Sequence, residues 1–241
     1  SFRGLGIADR DIKVDTDLCT LCSNHCVITT AAIEGSDERP SFGYLCGREP
    51  EDGRMRRNEE FAPFRARRAS LGVSGARSTR RTGEKPRIGI PLALASWGYA
   101  PLFRSLIEEL GAVPVFSNET DREIARLGAA TVGSDFCFPV KVAHGHVAAM
   151  IDRDDLDGVF VPAMIEETRH PHASRSRFCP YLVALPSIVK HLFDAVPLGP
   201  SMVAPSIDFN HSPLDVGRSI RIALAGVLDV TEEQAADAWV R

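Results

Sequence analysis

Six cysteines are the residues in this 241-residue sequence with the clearest chemical potential. Four are clustered, Cys19, Cys22, Cys26 and Cys46, in the spacing C-x2-C-x3-C-x19-C. Thiolates two to four residues apart converge on one metal ion or one cluster edge, because a tight turn brings their sulfurs within bonding reach. Cys46 would fill the fourth position from Gly43-Tyr44-Leu45-Cys46-Gly47, where glycines let the backbone bend around a metal. Such a set holds a structural zinc or a [4Fe–4S] cluster, and spacing does not separate the two. His25 is an alternative ligand, although a solvent-facing role suits it better. A segment of about 50 residues has too small a core to fold well unaided, and a metal would provide the missing stability.

Cys137 and Cys179 lie far apart in sequence but in like settings, Cys137-Phe138-Pro139 and Cys179-Pro180-Tyr181. Each precedes a proline that can open a helix. Unpaired N–H groups and the dipole at a helix start favour a thiolate, the form that iron or zinc takes up. The alternative is that each is a small buried hydrophobe. The helix after Cys137 carries Lys141, His144 and His146, and Lys141, His144 and Ala148 share a face away from the apolar stripe. That face is either ordinary wet surface or a contact for a phosphate, a cluster or a substrate carbonyl. A cysteine hydrolase pairing Cys137 with His144 or His146 is disfavoured, because about two helical turns separate Cys137 from His144. His170 and His172 read as residues of a polar loop, and Glu166 and Glu167 have no evident catalytic partner.

The elements that must position these residues follow from periodicity. Arg87–Pro91 reads as a buried strand. Pro101 opens a helix whose apolar face is Leu102, Phe103, Leu106, Ile107 and Leu110, stopped by Gly111. Val113–Phe116 is a second strand. Thr120 and Glu123 make a capping-box pattern for a short helix that Gly128 ends. Thr131–Val132 is a brief strand leading to Cys137 and to a helix from Pro139 to about Ile151, with Val140, Ala143, Val147, Met150 and Ile151 inward. A strand over Gly158–Pro162, a helix over Pro186–Phe193, a strand over Ser201–Pro205, a helix from Ser212 to about Leu228 and a last helix capped by Thr231 and Gln234 follow. Alternating strands and helices predict an α/β fold, a mostly parallel sheet with helices on both faces, Rossmann- or flavodoxin-like. Ligands gather beyond the carboxyl ends of such strands, where Cys137 and Cys179 are both expected, each after a strand and before a helix.

Three zones result: a Cys-rich metal-binding segment at 1–50, an arginine-rich linker at 51–86 and an α/β domain at 87–241. Hydrophobic content of 44%, charged content of 25% and a net charge of −4 describe an ordinary soluble chain and argue against a nucleic-acid binder. No apolar run reaches the ~18 residues of a membrane span, and Ser1–Lys13 has no apolar signal core. A cytoplasmic setting is expected, where thiols serve metals or redox chemistry in preference to disulfides. The chain lacks an initiator Met and its last helix has no following strand, so a piece of a longer polypeptide is expected, truncated at its carboxyl end.

Two segments carry a resemblance. Gly133-Ser-Asp-Phe-Cys-Phe-Pro-Val-Lys-Val-Ala-His-Gly-His146 and Phe178-Cys-Pro-Tyr-Leu-Val-Ala-Leu-Pro186 resemble the cysteine loops of the acyl-CoA dehydratase activase-related proteins, within the wider group of 2-hydroxyacyl-CoA dehydratases and double-cubane iron–sulfur proteins. Ile88-Gly-Ile-Pro91 with its following helix, and Leu110-Gly111 before a strand, are similar to that family too. Cys19-x2-Cys22-Ser23-Asn24-His25-Cys26 and Gly43-Tyr-Leu-Cys46-Gly-Arg48 resemble the cysteine-rich segment that precedes this domain in longer members.

The resemblance implies an iron–sulfur component of an ATP-activated, low-potential electron-transfer system. Its partner is an ATP-hydrolysing activase subunit or domain, and its acceptor an acyl-CoA or a small molecule. Cys137 and Cys179 match the cluster ligands. Two cysteines do not complete a cubane, so further ligands are expected from another domain, a partner or a second copy. No phosphate-binding loop or candidate nucleotide pocket is visible. The competing expectation is a non-enzymatic α/β partner-binding module with a structural zinc at the N-terminal cysteines.

Overall fold

The computed structural model describes residues 9–20, 26–44, 66, 69–70, 84–134 and 136–241. The chain divides into two compact units, Ser1–Ala62 and Pro63–Arg241. The linker expected at 51–86 lies almost wholly outside the described residues.

The first unit contains an antiparallel sheet of β1 (Ile12–Leu18), β2 (Val27–Ile33) and β3 (Ser41–Phe42), in that order. The sequence reading assigned no strands here. β1 is exposed on both faces, and the buried apolar side chains among the unit's described residues are Cys26, Ile28 and Ile33. So small a core needs some other source of stability.

The second unit is built on a parallel sheet, β5-β4-β6-β8, of β4 (Arg87–Ile90), β5 (Val113–Phe116), β6 (Gly158–Phe160) and β8 (Ser201–Val203). Past Pro162 and Pro205, which lack an N–H for the ladder, the last two strands resume as the parallel pair β7 (Ala163–Glu166) and β9 (Ser206–Asp208). Helices cover both faces, as the alternation predicted. On one, Ile88 and Ile90 pack with Phe103, Leu106 and Ile107 of α1 (Ala95–Glu109) and with α6 (Pro213–Leu224) and α7 (Glu232–Val240). On the other, Val115 and Val159 pack with Val147, Met150 and Ile151 of α3 (Phe138–Ile151) and with Val189 of α5 (Leu185–Asp194). Among the described residues, no helix is long and apolar enough to cross a membrane.

Several local expectations change. α1 starts at Ala95, and Pro101 lies inside it. The turn Ser96 N–H to Ala93 C=O nucleates the helix early, and the proline removes one intrahelical bond. Gly111 (φ +83) does end α1, with Ala112 N–H donating to Ile107 C=O and Gly111 N–H to Glu108 C=O. The cap of α2 (Arg122–Thr131) is Asp121, whose Oδ1 accepts from Ile124 N–H at 2.8 Å, because Thr120 is engaged elsewhere. Gly128 does not stop α2, and Thr131–Val132 is not a strand: Thr131 closes the helix with its hydroxyl donating to Leu127 C=O at 2.8 Å. The Thr231–Gln234 capping box of α7 is formed in full.

Candidate functional site

Cys137 therefore lies between two helices, not after a strand. α2 and α3 pack as a close pair because Gly128 and Gly145 have no side chains. A Cβ on Gly128 would meet the Lys141 carbonyl oxygen, and one on Gly145 the Ile124 carbonyl oxygen. This crossing fixes the start of α3, where Cys137 is the N-cap with an extended backbone (φ −60, ψ 152) and Pro139 sits in the first turn. Cys179 holds the same position (φ −53, ψ 138) at the short helix α4 (Pro180–Val183), after β7 and a loop. Both thiols are exposed, which rules out the buried-hydrophobe reading.

The residue before each cysteine is an anchoring phenylalanine. Phe178 meets Tyr99 edge-on with ring centroids 6.1 Å apart, within the aromatic core. Phe136 meets Tyr181 edge-on at 5.4 Å and stacks on His144 at 6.0 Å. Tyr181 lies two residues after Cys179, so this contact brings the two cysteine loops together. The Cys179 loop is itself strapped to β7. Arg177 Nε donates to Glu166 Oε1 at 3.0 Å, Arg169 Nη2 reaches the same carboxylate at 3.4 Å, and Glu167 N–H donates to Ser176 C=O at 2.8 Å. The Arg177 bond, with help from Arg169, holds the Glu166 carboxyl below the usual carboxylate range. Sequence had given Glu166 no partner. His170 and His172 are exposed loop residues, as expected, with rings 5.4 Å apart.

The histidines of α3 overturn the wet-face expectation, since both are fully buried. α3 is enclosed by the sheet, by α2 and by α5, so most of its circumference is interior. His146 is satisfied on both sides: Nδ1 lies 2.8 Å from Ser117 Oγ and Nε2 lies 2.9 Å from Thr120 Oγ1, while Ser117 Oγ accepts from Leu92 N–H. This set ties the ends of β4 and β5 to α3, with His146 and Ser117 buried and Thr120 at the surface. His144 is different. Its Nδ1–H donates to Val140 C=O at 2.8 Å, and Nε2 has no hydrogen-bond partner among the described residues. Burial is the main cause lowering its pKa, offset in part by the Val140 bond and reinforced by His191 nearby. Lys141 is half-buried.

The crevice between the carboxyl ends of β4 and β6 is narrowed by Ala93, Ala143 and Leu182 to about 10 Å³, room for roughly one water. A cleft of about 400 Å³ lined by Asn118, Asp121, Asp152 and Arg153 opens at the far end of α3, ~20 Å of helix from Cys137.

In the first unit, Cys19 N–H donates to Cys26 C=O at 2.8 Å, so these two cysteines face each other where the β1–β2 connection begins and ends. Cys19 is half-buried and Cys26 buried. Gly43 (φ +110) passes so close to the Val27 carbonyl that a Cβ would collide with it. Cys22, His25 and Cys46 lie outside the described residues.

Two observations fit a thiolate-bound group at the loops: paired N-cap cysteines with exposed sulfur, and an orphaned buried nitrogen on the adjoining helix. They would make up only part of a ligand set. Among the described residues, no group of three or more His, Cys, Asp or Glu side chains gathers to hold a metal ion.

Residues 87–241 match the family described as "CoA enzyme activase uncharacterised domain (DUF2229)". No curated protein and no solved structure matches the chain. The family match spans more than half of the sequence and takes in the whole sheet, both loop cysteines and α3, so the chain belongs to this CoA enzyme activase domain family and is an acyl-CoA dehydratase activase-related protein.

Proposed function

We propose that this chain is the cluster-bearing, electron-accepting component of a CoA dehydratase-type system, served by an ATP-hydrolysing activase and passing electrons to an acyl-CoA or small-molecule acceptor. The observation that carries this reading is the pairing of Cys137 and Cys179. Both are exposed N-caps, on loops joined by the Phe136–Tyr181 contact. Each cysteine is the N-cap of a helix with no side-chain cap bond, and N–H groups at a helix start can donate to an inorganic sulfide. A [4Fe–4S] cluster bound there would supply one-electron chemistry at low potential. Phe136, Phe178 and Tyr181 anchor the two loops, and Glu166, through Arg177, fixes the approach of the Cys179 loop. The ligands not supplied by the two cysteines come from elsewhere in the assembly or from other side chains of this chain.

The first unit holds a separate metal at Cys19, Cys22, Cys26 and Cys46, zinc or a second cluster. The hairpin-base geometry of Cys19 and Cys26 and the minimal core around β2 support this assignment.

The test is anaerobic purification of the full chain with visible spectroscopy and iron, acid-labile sulfide and zinc analysis. Brown protein with iron and sulfide supports the proposal. A colourless protein carrying zinc alone favours a partner-binding module with a structural zinc.

A further inference from the structure

The antiparallel sheet of the first unit ends in a bare edge strand. β1 pairs with β2 along its whole length, from Ile12 opposite Ile33 to Leu18 opposite Val27, without a bulge, and among the described residues nothing pairs with its other side. Every residue of β1 is exposed. The two ends of the ladder show which way its backbone groups point. Glu34 N–H donates to Asp11 C=O and Cys19 N–H to Cys26 C=O, so the odd-numbered positions are the ones bonded to β2. The N–H and C=O groups of Ile12, Val14, Thr16 and Leu18 therefore point away from the sheet.

An open strand edge is a template for another strand, and folds blunt such edges with proline, bulges or very short strands. The parallel sheet of the second unit does so at β5. Val113 N–H donates inward to Pro86 C=O, which turns the next position outward, and that position is Pro114, with no N–H to offer. β1 has none of these devices. Its sequence, Ile12-Lys-Val-Asp-Thr-Asp-Leu18, puts Ile12, Val14, Thr16 and Leu18 on one face and Lys13, Asp15 and Asp17 on the other. One outward donor, Thr16 N–H, is covered by the adjacent Asp15 Oδ1 at 2.9 Å.

This edge is complementary to itself. Turned antiparallel about a two-fold axis at Val14, it sets Val14 against Val14, Ile12 against Thr16 and Lys13 against Asp15 of the second copy. The even-numbered pairs exchange N–H and C=O bonds, while Lys13 and Asp15 meet at the non-bonded positions, where side chains approach most closely. Registers centred on Lys13, Asp15 or Thr16 instead oppose Lys13 with Lys13, Asp15 with Asp15, or Asp15 with Asp17, and like charges directly opposite repel. The like-charge opposition left in the Val14 register, Asp17 with Asp11, falls at the margin, because Asp11 precedes the strand. We propose that β1 pairs with β1 of a second copy of this chain, antiparallel about Val14, joining two three-stranded sheets into one. On pairing, Thr16 N–H exchanges Asp15 for the Ile12 carbonyl of the second copy, and the freed Asp15 carboxylate faces Lys13. Val14, 62% exposed in the single chain, packs on its counterpart. The assembly stops at two, since β3 at the opposite edge is only two residues long.

Sedimentation equilibrium of the full chain, purified without oxygen, tests this. The wild-type chain is expected to be a dimer at micromolar concentration. Val14→Pro removes an outward N–H that β2 does not use, so it should abolish the dimer and leave the far-ultraviolet spectrum unchanged. Lys13→Asp turns two attractive pairs into repulsive ones and should raise the dimer dissociation constant by about tenfold or more, as should Asp15→Lys. The two substitutions together should return it close to the wild-type value, because each pair is restored with its signs exchanged. Both charge changes lie at exposed positions and leave the β1–β2 ladder intact, so they test the pairing even where the proline variant fails to fold. A monomeric wild-type chain, or a dimer indifferent to Val14→Pro and to both charge changes, overturns the proposal. A double variant no tighter than the single ones overturns the Val14 register.

Discussion

Phe136 and Tyr181 meet edge to face, 5.4 Å between centroids and 79° between planes, and this contact joins the Cys137 loop to the Cys179 loop. An aromatic pair of this kind contributes about 0.5–1.5 kcal/mol beyond its buried area. A double-mutant cycle with Phe136→Ala and Tyr181→Ala, read by urea denaturation, is expected to give a coupling near 1 kcal/mol. Either single variant should also lower iron bound per chain, because the sulfurs lose their common orientation. Full additivity, with unchanged iron, would mean that the loops are positioned independently.

The α2–α3 crossing predicts a sharp contrast among glycines. Gly145→Ala drives a methyl into the Ile124 carbonyl and Gly128→Ala one into the Lys141 carbonyl. Each should destabilise the unit by about 3 kcal/mol, since backbone on the facing helix cannot yield cheaply. Gly98→Ala, at an exposed position of α1 where the added carbon has no tertiary neighbour within 4 Å among the described residues, should instead stabilise by about 0.5–1 kcal/mol. Urea midpoints of the three variants check the ordering.

Acidification should weaken the metal-free fold through His144. Its pKa is lowered in the folded chain, chiefly by burial, so the unfolded chain binds the proton more readily. Stability contributed by the neutral ring is present above the ordinary histidine value of about 6.5 and is lost as pH falls below it toward the lowered folded value. The urea midpoint is therefore expected to drop from pH 7 to lower pH, and the drop should shrink in His144→Phe. An equal pH dependence in that variant would assign the effect to other groups.

Glu166→Gln should loosen the Cys179 loop without unfolding the sheet. The carboxylate gathers Arg177 and Arg169, and the neutral amide cannot hold both guanidinium groups. Faster hydrogen exchange at the Glu167 and Phe178 amides, which donate to Ser176 and Ile165, is the expected signature. A rise in Cys179 alkylation rate relative to Cys137 should accompany it. Unchanged exchange at those amides would show that the loop is held by the Phe178 anchor alone.

The sheet was legible because Ile88, Ile90, Val115 and Val159 are apolar on both faces of short segments separated by helical periodicity. The positions of Cys137 and Cys179 at helix starts were legible from the prolines that follow them. Thr131–Val132 misled because β-branched residues suit strands, whereas here Thr131 bonds back to Leu127 and the glycine crossing continues the helix. The burial of His144 and His146, on nearly opposite sides of α3, was hidden because His191 of α5 lies beside the first and Ser117 and Thr120 hold the second, neighbours that periodicity within α3 does not report. A signal that was present and unused is the repeated Phe-Cys pair, Phe136-Cys137 and Phe178-Cys179. The β1–β2 hairpin escaped because its strands carry too few buried positions to alternate clearly. The Glu166–Arg177 strap depends on a loop folding back, which local sequence does not encode.

Iron stoichiometry in Cys137→Ala and Cys179→Ala, purified without oxygen beside the wild-type chain, tests the central claim most directly. Each variant is expected to lose iron, sulfide and the associated visible absorption in equal measure, with the far-ultraviolet spectrum and the N-terminal metal unchanged. Iron and sulfide that stay at the wild-type level in both variants would contradict it.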